Sequence, residues 1–161
     1  SDEDMEPYDS NFKMKPPLRS RCDVGAVIQG VVSGAIDAIA TDHAPHPGSE
    51  KMQEFEKCPF GILGLETALA IALEDLLHSG KIGLMRLVEL FTMGPARILE
   101  IERGTLKPSA VGDVTIFSTD RKWTYDVNKS FSKSRNSPFD GRTFRGGPVA
   151  TIVSGRVVWR V

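Results

Sequence analysis

Several absences narrow the field first. Only two cysteines, Cys22 and Cys58, occur in 161 residues, and neither belongs to a CxxC pair. A disulfide framework is therefore excluded, and reduced thiols in a cytoplasmic protein are the simplest reading. No apolar run approaches the roughly 20 residues of a membrane span. The first residues are acidic (Asp2, Glu3, Asp4, Glu6), the wrong charge for a secretory leader, and "SDEDMEPYDSN" reads as a mid-chain loop. A net charge of -1 provides no general attraction to nucleic acid or an anionic membrane. Basic residues do gather between Arg121 and Arg145, but no recognition motif accompanies them, so they read as a solvated face. Histidine is scarce as well: there are three, and no H-x-H. A zinc site of the hydrolase kind needs several imidazole or carboxylate ligands, so these residues alone do not furnish one.

The rest is ordinary globular material, 40% hydrophobic and 25% charged. "KMKPPLRS" cannot be helical through Pro16 and Pro17 and reads as a short strand ending in a rigid turn. Ser20 and Asp23 form a capping pattern ahead of a helix whose apolar face is Val24, Val27, Ile28, Val31 and Val32, stopped by Gly34. "AIDAIAT" (Ala35 to Thr41) reads as a strand covered on both faces. A helix from about Ile62 to Ser79 carries a leucine stripe and ends at Gly80. A shorter helix carries Leu84, Leu87, Val88 and Phe91, and "GPARILE" begins another with Pro95 in its first turn. Beyond Gly104 the chain turns β-branched, and "GPVATIVSGRVVWRV" reads as a hairpin turning at Ser154-Gly155. The pattern is α/β: residues 1–100 resemble the tail, or C-terminal part, of a TIM-like (β/α)8 barrel, and 101–161 a small β domain appended to it, which the family resemblance below makes a β-sandwich segment.

In "IATDHAPH" an apolar stretch ends by presenting Asp42, His43 and His46. Active sites of α/β barrels sit at the carboxyl ends of the strands. A carboxylate there can ligate Zn²⁺ or take a proton from an activated water. It can equally be a helix cap or turn former. His46 could face the same cavity and donate to an anionic substrate, with Pro45 and Pro47 stiffening the turn between. His43 reads as a packed, supporting residue. The charged stretch from Pro47 to Cys58 reads as a mobile lid.

"KMKPPLR", "IDAIATDHAPH" and "CPFGILGLETAL" resemble, in order and spacing, the C-terminal part of the dihydroorotase family, within the amidohydrolase superfamily. "GPARILEIERGTLKPSAVGDVTIF" and "VSGRVVWR" look like that superfamily's passage back to a β-sandwich and its closing hairpin. The resemblance covers essentially the whole chain. It implies that Asp42 is a metal ligand and the proton-transferring acid/base, that His46 contacts the substrate, and that Phe60 and Gly61 line the pocket. Lys15 stands where the family has a substrate-binding asparagine, and would meet an anionic substrate as a point charge on a flexible stem. The remaining zinc ligands, for one or two ions, would lie upstream, because a complete barrel needs roughly 250 residues.

The activity so implied is reversible, zinc-dependent cyclisation of N-carbamoyl-L-aspartate to dihydroorotate. The chain would be a C-terminal portion, inactive alone, associating with its N-terminal half or with another copy. Two other readings stay open: a cyclic amidohydrolase of hydantoinase or allantoinase type, or a catalytically dead scaffold that binds aspartate transcarbamoylase.

Overall fold

The computed structural model describes residues 1–161, which divide into two compact units interleaved along the chain. The first unit comprises residues 1–30, 41–68 and 124–143; the second comprises 31–40, 69–123 and 144–161. The units therefore cut across a division at residue 100. The physical reason lies within the first unit, where the segment 124–143 is hydrogen-bonded to residues 44, 46, 61, 63 and 66.

In the first unit, helix α1 (Arg21–Ser33) begins where the capping pattern places it. The Asp23 amide donates to the Ser20 hydroxyl at 3.2 Å, and that hydroxyl donates to the Asp23 carboxylate at 2.8 Å. Its valine face is only partly covered, since Val24 and Val27 are exposed. "KMKPPLRS" is not a strand; it runs unpaired after a short 3₁₀ turn at Ser10–Phe12. A one-turn helix α2 (Gly48–Lys51) interrupts the stretch expected to be a lid. The core of this unit gathers Cys58, Leu63, Thr67, Tyr125 and Val127.

The second unit is built on helices α3 (Ala68–Ala72), α4 (Leu84–Phe91) and α5 (Met93–Ile98), and on strands β1 (Val114–Thr124), β2 (Thr143–Val153) and β3 (Arg156–Arg160). The sheet order is β1-β2-β3. β2 and β3 pair antiparallel, with Val153 opposite Arg156 and an irregularity between Thr151 and Ile152. Ser154 and Gly155 form the two-residue turn, both with positive φ (49° and 77°), as the tight turns that match strand twist require. Leu73, Leu76, Leu87, Leu90 and Phe144 are the buried centre of this unit.

Two helical expectations need correction. The helix expected from Ile62 starts at Ala68, because the amides just before it are committed elsewhere. Leu63 N donates to the Asn136 carbonyl at 2.9 Å, and Gly64 N to the His43 ring at 3.1 Å. After Ala72 the helix widens to a π-helix over Leu73–His78, a rarer form found mostly as short insertions in α-helices.

The strand expected at Ala35–Thr41 does not form: Ala35 lies in a bend and the segment is not paired into a sheet. Arg86 donates to the Ile36 carbonyl at 2.7 Å, and Ile39 N donates to the Leu90 carbonyl at 3.0 Å. Gly94 lets α5 approach this segment, since a Cβ there would sit 2.0 Å from the Asp37 carbonyl oxygen. The parallel pairing that does form is a single bridge, His43 with Ile62.

Candidate active site

The residues singled out by the sequence all fall in the first unit. The loop Thr41–Pro47 runs beside the loop Pro59–Gly64, joined by the His43–Ile62 bridge and by Ala44 N donating to the Ile62 carbonyl at 2.9 Å. Asp42 opens the first loop with φ 41°, a left-handed conformation that aspartate adopts more readily than most residues. Its side chain is exposed, caps no helix, and has no protein hydrogen bond or ion pair. A carboxylate free on every side can take up a proton or a cation.

His43 faces inward as a support. Its Nδ1 accepts from Gly64 N at 3.1 Å and Leu65 N at 3.4 Å, which leaves the ring proton of the neutral form on Nε2. The His46 ring is engaged on both sides: Nε2 donates to the Phe60 carbonyl at 2.9 Å, and Nδ1 lies 3.3 Å from the Glu50 carboxylate. Gly61 fits where no other residue would. With φ 134°, its missing Cβ would lie 2.5 Å from Ala44 Cβ and 3.0 Å from His46 Nε2. Phe60 turns its ring outward, half exposed. Asp42, His46, Phe60 and Gly61 therefore sit on two adjoining loops. Lys15 belongs to the same unit but is exposed and makes no side-chain hydrogen bond or ion pair.

Three residues under these loops carried no readable signal. Lys13 is buried, and its Nζ donates to the carbonyls of Phe55 (2.6 Å) and Glu56 (3.0 Å) while lying 4.7 Å from the centre of the Phe60 ring. Lys51, 5% exposed, donates to the carbonyls of Pro59 (3.1 Å), Gly61 (3.2 Å) and Lys13 (3.4 Å). Burial holds its ammonium pKa below the ordinary lysine value, and the nearby charge of Lys13 pushes the same way. Asn136, 3% exposed, bonds to both loops. A lysine is normally an exposed residue, and an asparagine before Ser-Pro normally a turn former, so composition points away from all three.

No group of three or more histidine, cysteine or acidic side chains is arranged to hold a metal. Asp42 alone offers a free donor, since Nδ1 of His43 and both ring nitrogens of His46 already have protein partners. The residues fit a site to which this chain contributes one ligand. A cleft along α5, lined by Met93, Ala96, Arg97 and Arg103, lies in the second unit and contains none of the residues above. No helix is long and apolar enough to cross a membrane.

Paired loops presenting a free carboxylate beside a glycine–histidine contact suit hydrolytic chemistry. Over residues 13–158 the chain matches the amidohydrolase family, and it belongs to that family. It is 67% identical over 99% of its length to a dihydroorotase of Solibacter usitatus, and 48% identical over its full length to a dihydroorotase of Endomicrobium trichonymphae. It spans 37% and 38% of those two proteins. Among solved structures it superposes on L-hydantoinase from Arthrobacter aurescens with a TM-score of 0.85 at 33% identity, over 92% of this chain and 34% of that one.

Proposed function

We propose that the chain is the C-terminal portion of a dihydroorotase, catalysing reversible cyclisation of N-carbamoyl-L-aspartate to dihydroorotate, with Asp42 as the proton-transferring group. The observation that carries this is the exposed, unbonded Asp42 carboxylate beside the His46–Gly61 contact, in a chain so similar to dihydroorotases along its whole length. Residues 1–100 would supply the last part of a barrel and 101–161 part of a β-sandwich. The apolar segment Ala35–Thr41 supports this, since it leads into Asp42 and has no sheet partner within this chain, as expected of a barrel strand whose neighbours lie outside it.

In the hydrolytic direction, water attacks the ring amide carbon while the Asp42 carboxylate takes its proton. The carbon–nitrogen bond then breaks, and Asp42 passes that proton to the departing nitrogen. In the closing direction, nitrogen attacks the carboxyl carbon while Asp42 takes its proton, and Asp42 then passes that proton to the departing hydroxide, which leaves as water. Zinc, as one or two ions, would polarise the carbonyl and acidify the attacking water, with Asp42 as this chain's ligand and the others outside it. Phe60 and Gly61 would wall the pocket. Through its bond to the Phe60 carbonyl, His46 fixes that wall, and substrate would meet the imidazole edge. Lys15, exposed and unpaired, can reach towards an anionic substrate.

The similarity to L-hydantoinase favours a second reading, hydrolysis of another cyclic amide. Assays of the complete enzyme with dihydroorotate, hydantoin and allantoin separate the two. Dihydroorotate should have the highest kcat/KM, by at least about tenfold, equivalent to about 1.4 kcal/mol of transition-state discrimination. A preference for hydantoin would favour the alternative.

A further inference from the structure

We propose that Asn136 is a positioning residue for this site, holding the Asp42–His46 loop and the Phe60–Gly61 loop at a fixed separation; this rests on the reading above. Its side-chain Nδ2 donates to the carbonyl of Ala44 at 2.9 Å and to that of Gly61 at 3.1 Å, while Oδ1 accepts from the His46 amide at 3.2 Å. Its backbone carbonyl accepts from Leu63 N at 2.9 Å.

The chemistry of these contacts is specific. The direct pairing between the loops ends at the His43–Ile62 bridge and the Ala44 N to Ile62 bond. One step further, the carbonyls of Ala44 and Gly61 are both acceptors, so neither can bond the other. A group with two N–H donors must stand between them, and a primary amide also has an oxygen left for the third contact. Among neutral side chains only asparagine and glutamine offer that set, and the shorter one fits a residue this buried. The partners lie 75 to 92 residues away in sequence, so the device is invisible locally.

The residues held are those assigned to substrate. Ala44 lies two positions from Asp42. The His46 amide is bonded directly, and Gly61 lies under the His46 ring with a clearance that no Cβ could share. Loosening the clamp would let Gly61 and His46 separate while leaving the Asp42 carboxylate chemically unchanged. Substrate binding should suffer more than the chemical step.

The test is steady-state kinetics of Asn136→Leu and Asn136→Ser in the complete enzyme, with thermal unfolding alongside. Leucine keeps the volume without polar atoms; serine keeps one donor. For dihydroorotate, KM should rise at least about tenfold in the leucine variant and less in the serine variant, with kcat within about threefold of native. Unchanged KM in folded variants would overturn the proposal. So would failure of both variants to fold, since the residue would then be holding the fold and not the site. If the native enzyme ignores dihydroorotate but hydrolyses another cyclic amide, the same split is read on that substrate, so the assignment of substrate can fail while the positioning role stands. A native enzyme inert towards every cyclic amide would overturn both.

Discussion

At the scale of single residues, the site depends on how closely side chains approach backbone. Gly61 shows this most sharply. Its φ of 134° lies outside the range of ordinary L-residues, and any Cβ would overlap Ala44 and crowd His46 Nε2. Gly61→Ala should therefore push the two loops apart, at a cost of about 1–3 kcal/mol of strain. If that strain is released by displacing His46, KM for substrate should rise at least about tenfold. Kinetics of the variant check this, and native KM would show that the loops tolerate the shift. That "TDHAPH" and "CPFG" stand out in the sequence reflects their punctuation and their resemblance to the family, and the structure sets these two short segments side by side. Asn136 does not stand out, because its role exists only after distant segments meet, and "RNSPF" reads locally as a turn.

Elements were legible where the signal is local. The Ser20–Asp23 cap and the Ser154-Gly155 turn sit where their residues place them. The start of α3 moved to Ala68 because Leu63 and Gly64 donate across the fold, a tertiary demand that overrides helical period. The stretch 47–58, expected as a mobile lid, carries α2 and the buried Lys51. That lysine gives a pH prediction. Its folded pKa is depressed by burial, so between that value and the unfolded value of about 10.4 the unfolded chain binds more protons. Stability contributed by this group should accordingly be lowest below the folded pKa and rise as pH climbs towards about 10.4. Denaturant unfolding of the native protein and Lys51→Met, compared from neutral to alkaline pH, isolates the effect. The native protein should gain relative to the variant as pH rises. A flat or falling difference would show the ammonium is not held in a desolvated site.

For the molecule as a whole, sequence order misleads about proximity. The segment 124–143 follows β1 in the chain, yet it completes the unit that holds Asp42, contributing Tyr125, Val127 and Asn136. Patterning indicated helices followed by a β hairpin, which the structure has, but could not show that the later segment returns to the earlier loops. The metal account has the same character: the two loops present one free donor, Asp42, no group of three or more such side chains gathers in this chain, and the matched relatives are nearly three times as long. The central claim, that Asp42 moves the proton in ring opening and closure, is tested most directly by kcat of Asp42→Asn in the complete enzyme with dihydroorotate and with N-carbamoyl-L-aspartate. The account predicts a folded protein whose kcat falls by about 10²–10⁴ in both directions, the range for loss of a general acid–base group. A kcat within about threefold of native in either direction would contradict it.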